Sequence, residues 1–199
     1  MKQMMHSTWS TLVVATLLAG LALASDKKAD PKMEEMMKKM EAAGTPGPAH
    51  KALDPLVGDW NAEVKMWMDP SAPPNVTKAT AKSTWIMGNR FVQQEFKGEF
   101  MGKPFRGMSL TGYDNMKKQY NNIWIDDMST GTFTAEGKPD DGGKVITFEG
   151  TYACPETGEL NKPSKQVYRI LSRDKHVFEM HDPSKSPNTK TMEITYTRK

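Results

Sequence analysis

From Trp60 to Arg198 apolar and polar residues alternate with a period close to two, in segments of roughly five to ten residues bounded by Gly, Pro, Asn and Asp. The pattern predicts strands over 61–68, 78–87, 91–100, 104–113, 120–125, 130–136, 145–153, 166–171, 176–180 and 191–198, about ten in all. Gly88-Asn89 predicts a two-residue hairpin, Gly102-Lys103 a second break, and Pro139-Asp140-Asp141-Gly142-Gly143 the strongest turn. No helical period interrupts the series and no internal repeat is present. Close spacing of this kind predicts an all-β, antiparallel barrel or sandwich. Segments such as Phe91-Val92-Gln93-Gln94-Glu95-Phe96 and Tyr120-Asn121-Asn122-Ile123-Trp124 carry polar residues on both faces. A packed sandwich wants cleaner alternation, so mixed faces favour a barrel with a partly polar interior.

Two segments precede the strands. Lys2, the apolar run Leu12 to Leu23 and the small residues of Ala22-Leu23-Ala24 predict a secretory signal over residues 1–24, cut before Ser25. The run falls short of the ~20 residues of a membrane span, so no stable span is expected after cleavage. The expected location is outside the cytoplasm, periplasmic or secreted. Residues 25–48 predict a short helix and a linker. Asp30 and Pro31 suit a helix start, Met33, Met36, Met37 and Met40 share one face, and Gly44 to Pro48 is the break before a domain spanning 49–199.

Composition narrows the function classes. A net charge of +3 with both signs dispersed, and no basic stripe interleaved with aromatics, argues against nucleic acid. Cys154 is the only cysteine, so no intramolecular disulfide can form. Beyond His6 in the signal, only His50, His176 and His181 occur, and they read as solvated surface residues. His176 and His181 are five apart, so an uninterrupted strand directs them to opposite faces. The adjacent carboxylates Asp126-Asp127 and Asp140-Asp141 read as turn-formers, and the methionine face as an ordinary apolar face rather than a copper site. No Ser-His-Asp, Cys-His or HExxH arrangement is present, so no catalytic residue, metal or cofactor is nominated.

Several short motifs carry a resemblance. Leu56-Val57-Gly58-Asp59-Trp60 at the head of an all-β region is similar to the start of the calycins, the small ligand-holding barrels. Joined to Gly88-Asn89-Arg90-Phe91, Gly102-Lys103-Pro104-Phe105-Arg106-Gly107, Gly112-Tyr113-Asp114, Trp124-Ile125-Asp126 and the terminal Met192-Glu193-Ile194-Thr195-Tyr196-Thr197-Arg198-Lys199, it resembles the mostly bacterial family called domain of unknown function 1579. The resemblance covers about His50 to Lys199 and implies a lipocalin-like barrel, with Gly58 and Trp60 as structural signature and no agreed activity. In such barrels a tryptophan on the first strand is covered by a basic side chain from the last, here Arg198 before Arg169. The chain also resembles nitrobindin-type barrels in strand number. Those hold haem through a histidine near the final strand, whereas Asn188–Lys199 contains none and His181 is the nearest.

The leading functional expectation is a barrel binding a small apolar or amphipathic molecule. Its candidate binding residues are Trp85, Phe96, Phe105, Tyr113, Trp124, Tyr196 and Arg198, within a wider aromatic set that includes Phe148, Tyr168 and Phe178. Tyr196 and Arg198, two apart on one strand, are the candidate fork for a carboxylate, with Arg90 and Arg106 as alternatives. The competing expectations are a non-catalytic interaction protein with a closed core and an enzyme acting on a small lipophilic substrate.

Overall fold

The computed structural model describes residues 30–140, 142–185 and 189–199; the predicted signal lies outside the described residues. The chain divides into two compact units, residues 1–38 and 39–199, and the second contains the barrel. Helix α1 (Pro31–Gly44) straddles that division and buries none of its residues. Asn115 Nδ2 donates to the carbonyls of Ala43 at 3.0 Å and Thr45 at 2.8 Å, closing the helix end.

Among the described residues ten strands follow: β1 (Gly58–Met66), β2 (Asn75–Ile86), β3 (Phe91–Phe100), β4 (Lys103–Asp114), β5 (Gln119–Asp126), β6 (Phe133–Pro139), β7 (Val145–Tyr152), β8 (Lys162–Ile170), β9 (Lys175–His181) and β10 (Lys190–Arg198). Each pairs antiparallel with its neighbours in sequence, and β1 pairs with β10 from Trp60↔Arg198 to Met66↔Met192. The sheet therefore closes on itself and leaves no free edge. The two-residue period does the sorting. In β1, Trp60, Ala62 and Val64 are buried while Asp59, Asn61 and Glu63 are exposed. Likewise Val92, Gln94 and Phe96 are the buried side chains of β3, and Ile146 and Phe148 those of β7.

One end of the barrel is plugged. Helix α2 (Pro48–Lys51) and the 3₁₀ turn Asp54–Leu56 set the buried Leu53 and Leu56 into the core cluster. Four strand side chains pin this segment. Trp60 Nε1 donates to the Leu56 carbonyl at 3.0 Å, Trp85 Nε1 to Asp54 at 2.9 Å, the Tyr120 hydroxyl to the Ala49 carbonyl at 2.9 Å, and Arg198 to the Val57 carbonyl at 3.0 Å.

Three expectations are corrected. Gly88-Asn89 does not form a two-residue hairpin: β2 ends at Ile86 and β3 starts at Phe91, so Met87–Arg90 is the loop, with positive φ at Met87, Gly88 and Asn89. The tight turn sits one residue earlier than expected at the next hairpin, where Met101 and Gly102, both left-handed, join Phe100 to Lys103. Strand β8 begins at Lys162 rather than 166, because Pro163 is accommodated near the strand's start opposite Thr151.

Candidate functional site

Every strand sends alternate side chains inward, and the interior is layered. At the plugged end Trp60, fully buried, meets His176 edge-on with ring centroids 4.4 Å apart. Arg198 lies 4.3 Å over the indole and also donates to the Arg173 carbonyl and to Asp174 at 2.9 Å. Gly58 makes this stack possible. Its φ of +143° suits glycine, and a Cβ there would fall 2.1 Å from an Arg198 guanidinium nitrogen. Tyr113 and Trp85 also stand at this end, Tyr113 beside His50 and Tyr120.

At the opposite end the interior finishes in aromatic rings that are only partly covered. Phe96 is buried, with Phe105 6.1 Å and Trp124 6.3 Å away between centroids, and Phe105 and Trp124 stack at 23°. Phe133, Met180 and Met192 pack partly buried against the same core. The Trp124 ring rests on Gly107, where a Cβ would lie 2.1 Å from it. A side chain at that position would lift the indole off the wall.

Between the two ends lies a belt of neutral polar side chains. Ser83, Gln94, Ser109, Thr111, Asn122, Ser164, Gln166 and His176 are all buried. The Tyr196 hydroxyl donates to Gln94 at 3.4 Å, and Gln94 donates to Ser83 at 3.3 Å. Thr111 donates to Asn122 at 3.0 Å, and Asn122 donates to Gln166 at 3.2 Å. Two members lack partners in the protein: Ser164 Oγ and both ring nitrogens of His176. A cavity of about 10 Å³ adjoins His176, lined by Leu56, Ser83, Val92, Gln94, Ser109, Thr111, Tyr168 and His176 itself. That is room on the order of one water molecule.

The electrostatics of the belt keep it uncharged. Burial, reinforced by the Arg198 cation, pushes the His176 pKa down to about 3, so the ring is neutral at physiological pH. His176 stacks flat on Tyr196, at 4.4 Å and 14°. Burial raises the phenol pKa of both Tyr168 and Tyr196 above the ordinary tyrosine value. The expectation that the histidines are solvated fails for all three: His176 and His50 are buried, and His181 is half-buried with both ring nitrogens out of solvent. His50 accepts from the Gly47 N–H at 3.1 Å and braces the plug, while His181 lies on the outer face beside Glu179 at 3.6 Å.

A profile for the "Protein of unknown function (DUF1579)" family matches residues 45–198. The chain belongs to the DUF1579 family. Among curated proteins none matches it. Among solved structures it is similar to the "Crystal Structure of Rv2717c from M. tuberculosis", at 20% identity and a TM-score of 0.55 over 78% of this chain and 99% of that one. It is also similar to "a redesigned beta barrel, b11L5F_LGL", at 12% identity and a TM-score of 0.37 over 76% of this chain and 95% of that one. At 20% identity the likeness to the first of these is one of fold.

In this DUF1579 barrel the candidate binding residues fall into two groups. Phe96, Phe105 and Trp124 come together at the open end, whereas Trp85, Tyr113, Tyr196 and Arg198 belong to the plugged end or the layer beneath it. Tyr196 and Arg198 do not converge on a common acceptor site, since Tyr196 turns to Gln94 and Arg198 to Trp60, Val57, Arg173 and Asp174. Arg90 is bonded to the Met87 carbonyl at 3.0 Å, and Arg106 to Asp127 at 3.1 Å. The Arg106–Asp127 pair borders a shallow outer depression of about 370 Å³ shared with Glu95, Lys97, Met108 and Ile125. Haem does not fit the interior: the space beside His176 is about 10 Å³, and its ring is held between Tyr196 and Trp60. The most unusual residue of the site, His176, was masked in the sequence by its setting. His176 directly follows the polar turn Ser172-Arg173-Asp174-Lys175 and opens the expected strand, where only the alternation His176, Phe178, Met180 marks it as inward-facing.

Proposed function

We propose that this protein is an exported, lipocalin-like binding barrel that takes a small apolar or amphipathic molecule into its interior from the end bearing Phe105 and Trp124. The observation that carries this reading is the chemistry of the core. A barrel closed only for stability gains most from apolar side chains, yet this one buries Gln94, Asn122, Gln166 and His176 within its wall and leaves the His176 nitrogens and Ser164 Oγ without protein partners. Unmade hydrogen bonds of that kind cost about 1–3 kcal/mol each and are removed by a guest that supplies the missing partner. The asymmetry of the ends supports entry from one side, since the plug is pinned by four side-chain hydrogen bonds and the other end is finished by partly covered rings.

The closed-core alternative rests on the cavity volume of about 10 Å³, far below the ~300 Å³ or more of an ordinary ligand pocket. The two readings separate in one experiment. In the binding reading, the neutral fluorophore N-phenyl-1-naphthylamine binds purified protein saturably, Trp124 emission changes with occupancy, and Trp124→Ala weakens binding without lowering the folded fraction. Binding that does not saturate, or that no aromatic substitution alters, gives the closed core instead. Export is tested separately: N-terminal sequencing of protein from the extracytoplasmic fraction should begin at Ser25, and a Met1 start in the membrane fraction refutes it.

A further inference from the structure

Resting on the binding reading above, we infer that the guest is uncharged and presents a single hydrogen-bonding group, a hydroxyl, amide or carbonyl, to His176 in the small chamber beneath Leu56. Three features of the chamber define that chemistry. Its lining is six neutral polar residues, Ser83, Gln94, Ser109, Thr111, Tyr168 and His176, with Leu56 and Val92 as the apolar remainder. No Lys, Arg, Asp or Glu is among them. An ionised carboxylate or ammonium placed there gives up its hydration with no opposite charge to replace it, which excludes charged head groups.

The second feature is the unpartnered imidazole. His176 is almost completely buried, and neither nitrogen has a protein partner. A neutral imidazole offers one donor and one acceptor, so it answers a hydroxyl with either nitrogen and a carbonyl with its N–H. Arg198 is the cation whose charge reaches His176, but its guanidinium lies over the Trp60 ring and is occupied by Asp174 and the carbonyls of Val57 and Arg173. It is not free to pair with an acid.

The third feature is size and direction. About 10 Å³ admits on the order of one heavy atom, the terminal atom of a polar group, so the rest of the guest lies outside the chamber. Strand β3 links the two regions, since Val92 and Gln94 line the chamber and Phe96, next on the same face, joins the aromatic cluster with Phe105 and Trp124. The guest's polar head sits at His176 and its apolar body runs along β3 toward the rings.

The test displaces N-phenyl-1-naphthylamine from the wild-type protein at pH 8 with 1-octanol, octanoate and 1-chlorooctane, and follows the His176 ring nitrogens by ¹⁵N NMR. The inference expects octanol to displace the probe at a concentration at least about tenfold below octanoate and to shift the His176 nitrogens. 1-Chlorooctane should leave those nitrogens where they are. In His176→Phe, octanol should lose about fivefold in affinity and 1-chlorooctane little. If that variant fails to fold, the wild-type NMR shift decides alone. Octanoate binding as tightly as octanol, or octanol binding with the His176 signals unmoved, overturns the inference while the binding reading stands. A wild-type protein that shows no saturable probe binding overturns both.

Discussion

Replacing Trp60 with alanine removes the largest fully buried side chain at the plugged end, and its cost can be assembled from the contacts it makes. Truncating a fully buried aromatic costs about 3–5 kcal/mol through lost transfer energy and the cavity left behind. The Leu56 carbonyl also loses the indole N–H it accepts at 3.0 Å, for about 1 kcal/mol more. Arg198 loses the face it covers at 4.3 Å, worth roughly 0.5–1 kcal/mol for a partly exposed cation. These overlap, and a total of about 5 kcal/mol is expected. For a domain of this size that lowers the melting temperature by roughly 10–20 °C. Urea and thermal unfolding followed by circular dichroism, on protein beginning at Ser25, read the change. A double-mutant cycle with Arg198→Ala isolates the stacking, with an expected coupling of about 0.5–1 kcal/mol. Arg198→Ala alone should cost more than that coupling, because its bonds to Val57 and Asp174 do not depend on the indole. A midpoint lowered by less than about 3 °C, or a coupling of zero, would refute the view that Trp60 and Arg198 jointly close this end.

The pH dependence follows from His176. Its folded pKa of about 3 lies below the ordinary 6.5, so between those values the unfolded chain binds the extra proton. The stability from keeping the ring neutral is full above about pH 6.5 and falls as pH drops toward 3, with a slope approaching ~1.4 kcal/mol per pH unit. His50, whose pKa burial also lowers, acts in the same direction. Urea midpoints measured from pH 7.5 to 5 should therefore decline, and His176→Phe should flatten the decline; an unchanged slope in that variant counts against a neutral buried ring. Gly107→Ala tests the open end. A Cβ there would meet the Trp124 ring at 2.1 Å, so the indole should swing outward and its emission shift to the red, at a stability cost of about 1–3 kcal/mol. Emission identical to wild type would mean the ring does not rest on Gly107.

How far the sequence was legible depends on what kind of signal each feature leaves. Strand identity was legible because burial alternates residue by residue, and β3 (Phe91–Phe100) coincides with the expected span. Turn positions were less so. Gly88-Asn89 carries the composition of a tight hairpin, but whether two or four residues form the loop is set by the register of Ile86 against Phe91. The plug was not legible at all. Pro48–Lys51 and Asp54–Leu56 are too short to show a helical period, and what holds them comes from Trp60, Trp85, Tyr120 and Arg198, up to 141 residues away in sequence.

The mixed polarity of the strands is where sequence and structure meet most directly. Gln94 and Asn122, polar residues in otherwise apolar alternation, do point inward, and each finds a partner across the barrel: Gln94 with Tyr196, and Asn122 with Gln166. Such contacts need strands far apart in the chain, so alternation alone places the residues inside without saying whether they are satisfied. Satisfaction is what distinguishes a structural polar network from a receiving one. Seven of the eight buried polar residues of the belt lie on β2, β3, β4, β5 and β8, and five of them bond in two groups, Gln94 with Ser83 and Thr111 with Asn122 and Gln166. His176, on β9, is unpartnered like Ser164, and of these two it is the one that lines the same cavity as Ser83, Gln94 and Thr111. A network evolved purely to hold the barrel shut would be expected to include it. Its exclusion leaves an unpartnered donor and acceptor on a residue that lines a small space in the belt, which is the arrangement a guest's polar group requires.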